Sequence, residues 1–269
     1  NLLGLVAIAV HFLSLLPIDI LSTIPATGGD TGSHLWPLYT LANWGVPNGT
    51  FRIWNPGNLC GEPHHLHYFP VPYFVMYLLS IVLQREAAFN MGPLIPALLL
   101  PTAVFFSQRT LNFRFPAPLF GAAASTIFIY NESYSMWGGN LLSLLAGQFT
   151  HAFAFLPFLL GYSLLMASVV HKRVPAAASI LFALVVGSHG YLMLGIPWLA
   201  LACLLFARGP NAAERIRLLL LTAVLTGLLS LWYLVPMLLN QPWTTPFPQV
   251  WRSPHIIAEV FPLTFYPSV

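Results

Sequence analysis

Apolar residues arrive in long blocks along this chain. Residues 1–18, 71–83, 87–107, 115–130, 152–170, 174–188, 190–207 and 218–239 are almost free of charge. Strict alternation of apolar and polar positions would predict a membrane β-barrel, whereas continuous runs predict helices. About twenty apolar residues cross a bilayer as a helix, so most of these runs predict membrane spans. The separators are polar: Gln108 to Arg114, Asn131 to Asn140, His171-Lys172-Arg173, Ser188-His189-Gly190 and Arg208 to Arg217. Residues 19–70 break the pattern and are rich in turn formers. Within them, Leu35, Leu38, Tyr39 and Ala42 are spaced as one helical face, which predicts a short interfacial helix from Ser33 to Trp44. No internal repeat is visible.

Composition sharpens this into a class. The chain is 57% hydrophobic and only 6% charged, where a soluble domain carries roughly 25% charged residues. Such a chain cannot cover a water-facing surface. The expected fold is therefore an all-α, polytopic membrane protein forming one transmembrane module over residues 1–269. Its 24 prolines and 19 glycines fit broken helices and structured loops. The net charge of +3 gives no reason to expect a nucleic-acid partner. The chain begins at Asn1 with neither a basic leader nor a small-residue cleavage site, so no signal peptide is expected. Residues 240–269 read as an outer segment of a longer chain. Cys60 and Cys203 fall in a loop and in a span, which argues against a disulfide.

Charge sets an orientation. Basic connectors favour the cytoplasmic side, and the clear ones are Arg109/Arg114, Lys172/Arg173 and Arg208/Arg215/Arg217. With all three inside, the position of Asp30 depends on residues 71–83. Thirteen helical residues reach only about 20 Å, short of a ~30 Å hydrocarbon core. Residues 71–83 are therefore expected to lie in the interface. That gives seven spans: residues 1–18, then six between residues 87 and 239. Residues 19–86 form a long outer loop holding interfacial helices, with Asp30 outside. Six of the seven acids then lie outside or at that border, a sorting that the placement of the basic residues did not impose.

Candidate chemistry follows from scarcity. Asp30, in Gly28-Gly29-Asp30-Thr31-Gly32-Ser33-His34, is one of seven acids and sits where the first apolar run has given way to polar loop. As a general base it would take the proton of an acceptor hydroxyl; it would serve equally as the N-cap of the following helix. The stretch from Gly61-Glu62-Pro63 through His64-His65-Leu66-His67 could bind a divalent cation. It lacks helical ligand spacing, however, and interfacial anchoring of the loop is the plainer alternative. Gln148 and His151 stand three apart on one helical face and could line a polar pocket on the outer side; a satisfied helix-end histidine is the alternative for His151. Arg52, Arg85 and Arg252 are the outer cations, and a phosphate there needs one of them. His189 reads as a turn residue. Asn48-Gly49-Thr50 and Asn131-Glu132-Ser133 fit the N-glycosylation triplet.

Four stretches together resemble a known family. They are Gly29-Asp30-Thr31 with His34; Trp54-x-Pro56 leading to Gly61-x-Pro63 and Tyr68-Phe69-Pro70-Val71-Pro72-Tyr73; Leu145-Ala146-Gly147-Gln148-Phe149; and Ser230-Leu231-Trp232-Tyr233-Leu234-Val235-Pro236. In order and spacing the chain resembles the GT-C membrane glycosyltransferases. It is closer still to bacterial multi-span proteins described as "6-pyruvoyl-tetrahydropterin synthase-related". The family pattern usually has an acid where Gln148 stands. The resemblance implies transfer of a sugar from a polyprenyl-phosphate donor at the outer face of a bacterial inner membrane. Asp30 would be the acceptor base and Arg52 or Arg252 would hold the lipid phosphate. His34, Gln148 and His151 would complete the substrate site.

Two other readings compete with that expectation. A non-catalytic subunit of a larger membrane complex would have other membrane subunits as its partners. A lipid flippase or transporter would be expected to carry intramembrane ionisable groups or an inverted repeat, and the spans here hold almost none. Under every reading membrane lipids are partners.

Overall fold

The computed structural model describes residues 2–15, 18–57, 61–131 and 138–244. Helices make up all the regular secondary structure among them; the sole extended pairing is a single bridge between Asn55 and Glu62. In chain order the helices are α1 (Leu2–Ser14), α2 (Thr31–Thr40), α3 (His64–His67), α4 (Pro70–Leu79), α5 (Arg85–Met91) and α6 (Ile95–Thr110). They continue with α7 (Ala117–Ile129), α8 (Leu141–Leu145), α9 (Phe149–Val170), α10 (Ala176–Val186), α11 (Gly190–Phe206) and α12 (Ala212–Leu239).

The helices follow the apolar runs, but their lengths divide them. Three are long and apolar enough to cross a bilayer: Arg85–Thr110, in which α5 and α6 join through a 3₁₀ turn, Phe149–Val170 and Ala212–Leu239. Five shorter apolar helices accompany them, α1, α4, α7, α10 and α11. The expectation of seven full-length spans is thus met by three, because helices end inside or at the edges of the runs. The run 174–188 yields only eleven helical residues: Pro175 precedes the first and Gly187 follows the last. Residues 71–83 yield the ten-residue α4, with Pro70 and Pro72 in its first turn, where a missing N–H costs nothing. Where an interfacial helix was expected at residues 33–44, the structure has a helix, α2 running into a π-helical turn, Leu41–Gly45.

Packing centres on α9, which contributes to two cores. Its first half joins Phe149 and Phe153 to Leu38, Tyr73, Met76, Phe89 and Ile129. Its remainder joins Ala154, Leu165 and Val169 to Phe182, Val185, Cys203 and Leu218. In lipid there is no hydrophobic drive between helices, so close approach at small residues substitutes for it. Gly161 of α9 is such a point: a methyl there would lie 2.9 Å from the Phe182 ring of α10. Side-chain caps fix helix starts. Asn211 accepts from the Glu214 N–H at 2.9 Å to begin α12, and His189 Nδ1 accepts from the Tyr191 N–H at 3.3 Å to begin α11.

One end of this bundle collects the chemistry. The α10–α11 turn meets the start of α4, where the Val71 N–H donates to the Gly187 carbonyl at 3.0 Å. The end of α12 meets the segment before α4 through Tyr233 on Phe69 and Trp232 on Phe51. The start of α9 meets the segment around Asp30.

Candidate functional site

Two glycine turns from distant parts of the chain clasp each other. The Asp30 N–H donates to the Ala146 carbonyl at 2.8 Å, and Thr31 Oγ1 donates to the Leu145 carbonyl at 2.7 Å. Both turns need glycine twice over. Gly29 has φ +49° and Gly147 has φ +95°, conformations that side chains disfavour. A methyl on Gly29 would also fall 2.5 Å from the Ala146 oxygen, and one on Gly147 would fall 2.6 Å from the Thr31 nitrogen. Backbone contact this close locks α2 onto the start of α9.

The clasp frees the Asp30 side chain. Asp30 occupies the N-cap position of α2, yet its carboxylate makes no capping bond. Instead Oδ2 accepts from Gln148 Nε2 at 2.8 Å. Gln148, where the resemblance leads one to expect an acid, thus touches the candidate base directly. A carboxamide donates to a carboxylate; a second carboxylate would have to share a proton with it.

Asp30 opens onto a polar cavity of about 610 Å³, whose wall also includes Trp36, Asn55, Glu62, His64, His67 and Tyr68. The loop that carries Glu62 is pinned by the paired backbone bonds between Asn55 and Glu62, at 2.7 and 2.9 Å. Glu62 Oε1 lies 3.0 Å from His64 Nδ1. Burial lowers the His64 imidazole below its ordinary value, with the Glu62 hydrogen bond and charge pulling the other way. No Lys or Arg stands in the described wall, so its formal charge comes from two carboxylates.

His34 and His65 fasten the cavity floor. His34 is only 5% exposed; its ring bonds the Gly147 carbonyl, and Nδ1 lies 2.6 Å from the Tyr73 hydroxyl. With one ring N–H given to the carbonyl, Nδ1 accepts from Tyr73. Burial, reinforced by His64, pushes His34 down to about 4 against the pull of Asp30 and Gly147. His65 Nε2 donates to the Pro37 carbonyl at 3.0 Å, and burial pushes that imidazole down to about 4 as well. Both rings are therefore neutral struts at pH 7 that tie α2 to α3, α4 and the Gly147 turn.

The remaining expected residues are dispersed. His151 donates from Nδ1 to the Gly138 carbonyl at 3.1 Å and sets its ring edge against His189, so it faces the α10–α11 turn; it is not in the cavity wall. It does not share a pocket with Gln148. Arg52 is exposed, and its guanidinium bonds no described residue; only its backbone N–H is engaged, by Thr50 Oγ1 at 3.0 Å. Arg252, Cys60 and most of the 240–269 segment lie outside the described residues, as does Glu132 of the second glycosylation triplet. Among the described residues no three His, Cys, Asp or Glu side chains gather to hold a metal ion.

Sequence reasoning kept Asp30 and the Glu62–His67 loop as separate candidates, whereas the structure places them in one wall. The signal that could have joined them is compositional: three of the chain's seven acids, Asp19, Asp30 and Glu62, lie in residues 19–70, the longest segment that breaks the apolar pattern. Compared with protein-family models, curated proteins and solved structures, the chain matches none.

Proposed function

We propose that this protein is a membrane glycosyltransferase of the GT-C kind, acting on a polyprenyl-phosphate-linked sugar at the outer face of a bacterial inner membrane. The observation that carries the reading is convergence. The four stretches that resemble the family are dispersed along the chain, yet they meet at one end of the bundle. Two of them line the polar cavity, the Asp30 segment and the Glu62–Tyr68 segment, and a third grips Asp30 through Gln148. The fourth packs Tyr233 against Phe69 beside it.

The chemistry of the wall suits a sugar. Carboxylates accept hydroxyl hydrogen bonds, and the rings of Trp36 and Tyr68 offer apolar faces to sugar C–H groups. Asp30 draws the proton from the acceptor hydroxyl as its oxygen attacks the anomeric carbon. The bond to the lipid phosphate breaks with its electron pair staying on phosphate, and the anomeric configuration inverts. A phosphate is repelled by the acidic wall and lies outside it; Arg52, with its free guanidinium, and Arg252 are the arginines assigned to it. In the topology of this reading α1, α7, α10 and α11 cross alongside the three long helices, with Asp30 outside. The gathering of the Asp30 turn, the start of α9, the α10–α11 turn and the end of α12 at one end supports it.

The rival reading is a non-catalytic subunit within a membrane complex. It expects no outer cavity at Asp30, and the 610 Å³ polar recess speaks against it. The test is release of polyprenyl phosphate from a polyprenyl-phosphate-linked hexose by the purified chain in nanodiscs. Asp30→Asn should cut release by about 10²–10⁴-fold. Release by Asp30→Asn at the unaltered rate would remove Asp30 from the mechanism.

A further inference from the structure

The polar cavity carries negative charge that no basic side chain of its wall offsets. With histidines neutral, that wall holds two formal negative charges, Asp30 and Glu62, in a chain of net charge +3. Arg52 and Arg85 are the two arginines between α1 and α6, and neither stands in the wall. Arg85 is engaged elsewhere: it donates to Asn43 Oδ1 at 3.1 Å and lies 4.7 Å from the centre of the Tyr39 ring. Glu214, by contrast, has its own cation, Arg217, at 2.7 Å.

Both carboxylates keep an oxygen for a ligand. Asp30 gives Oδ2 to the Gln148 amide, and Glu62 gives Oε1 to His64. Asp30 Oδ1 and Glu62 Oε2 accept from no described residue. Neither side chain is closed off: Asp30 is exposed, and the Glu62 side chain is 38% exposed. Trp36, itself 43% exposed, and Tyr68 add ring faces to the same wall. A cleft lined by charge of one sign concentrates the opposite ion. Carboxylates only accept hydrogen bonds, and an aromatic face attracts an organic cation. Such a wall selects a ligand that is positively charged and rich in donors. A divalent metal fits less well, because it takes roughly six to eight oxygen ligands. Among the described residues no three His, Cys, Asp or Glu side chains gather to supply them.

We propose that the acceptor glycosylated at this site is a cation, a sugar or polyol that carries a protonated amine. Its ammonium lies on Glu62 and the Trp36 face, and its hydroxyl lies on Asp30. The inference rests on the glycosyl-transfer reading for the role of the hydroxyl, and it names the acceptor class that reading leaves open. The ammonium takes no part in bond making. The hydroxyl proton passes to Asp30, the oxygen's electron pair forms the bond to the anomeric carbon, and the departing pair stays on the donor phosphate.

The deciding experiment compares glucosamine with glucose and N-acetylglucosamine on the full chain in nanodiscs, with EDTA present. Equilibrium binding of each sugar is measured, and then release of polyprenyl phosphate from a polyprenyl-phosphate-linked hexose with each sugar as acceptor. One charge-assisted hydrogen bond is worth roughly 10–100-fold, so glucosamine should bind and react that much better than either neutral sugar. Glu62→Gln removes the charge and keeps the shape, and it should bring the three sugars within about 3-fold of one another. Asp30→Asn should cut release while glucosamine still binds better than glucose. If Glu62→Gln does not fold, judged by its elution and helical signal, the three sugars on the unaltered chain decide. Equal binding of the three overturns the cationic acceptor, as does a preference that persists undiminished in folded Glu62→Gln. Release without preference for glucosamine overturns the inference and spares the glycosyl-transfer reading. Preferential binding of glucosamine with no release in any mixture supports the cation site and overturns the glycosyl-transfer reading.

Discussion

Two half-open cavities in the bundle have nearly equal size and contrasting chemistry. The polar one, about 610 Å³, is built where segments around residues 30, 55 and 62–68 meet. The apolar one, about 570 Å³, lies among α9, α10, α11 and α12 and is walled by side chains such as Phe182, Ile196, Leu204 and Leu220. Its few hydroxyls are turned back into the helices. Thr222 donates to the Leu218 carbonyl at 2.8 Å and Ser230 to the Thr226 carbonyl at 2.8 Å. An apolar recess between helices follows from imperfect packing alone. A recess that holds two of seven carboxylates in twelve of 269 residues does not. The comparison is the reason for assigning the proposed function to the polar cavity, and it can be broken by changing one cavity at a time.

The largest effect is expected at the clasp. Gly147→Ala puts a methyl 2.6 Å from the Thr31 backbone nitrogen at a φ of +95°. Strain and overpacking together cost about 4 kcal/mol, and Asp30 is displaced with the turn. Gly227 of α12 lines the apolar cavity, and a methyl there meets nothing within 4 Å. Gly227→Ala should shift stability by no more than about 0.5 kcal/mol. Unfolding midpoints in detergent would measure the pair, and equal shifts in both would erase the distinction.

Much of the fold was legible because hydrophobic blocks in a membrane protein report helices directly. Residues 190–207 became α11 and residues 115–130 became α7 with edges moved by two residues or fewer. Spans were less legible, since hydropathy continues past the point where a proline or glycine ends a helix. The site was half legible. Asp30 stood out by rarity, but its partner is 118 positions away, and no local pattern encodes that pairing. The histidines misled for a related reason. His34 was expected at the substrate site and does reach the cavity wall, but only the structure shows that its ring is also tied to Tyr73 and Gly147 as a strut.

Those struts give the next effect. His34 and His65 lie at about 4 in the folded chain against an ordinary value of 6.5. As pH falls below 6.5 the unfolded chain takes up these protons first, so stability declines until the folded rings also titrate near 4. Each ring should cost about 3 kcal/mol over that window, and neither contributes a change above it. Unfolding midpoints followed from neutral to acid pH should show the slope, and His65→Gln should reduce it by about half. The apolar cavity has no titratable residue in its wall, so Gly227→Ala should leave the slope as it is. A flat profile would mean that water reaches both rings.

The smallest effect tests why position 148 carries an amide. Gln148 Nε2 donates to Asp30 Oδ2 at 2.8 Å, a hydrogen bond made without adding charge. Gln148→Glu introduces an acid and sets two carboxylates at that distance. Like charges so close cannot both ionise freely, so the pair should bind one proton with an apparent affinity raised by about 1–2 pK units. The resulting loss should appear on the acid side of the rate profile, while the neutral-pH rate falls by less than about tenfold. Gln148→Leu removes the donor without adding a charge, and it should lower the rate with no new acid limb. If Gln148→Glu and Gln148→Leu behave alike, residue 148 acts by filling space at the clasp, and the amide's bond to Asp30 does not tune the base. If they differ as expected, the hydrogen bond of the amide to Asp30, and not its bulk, is what position 148 contributes.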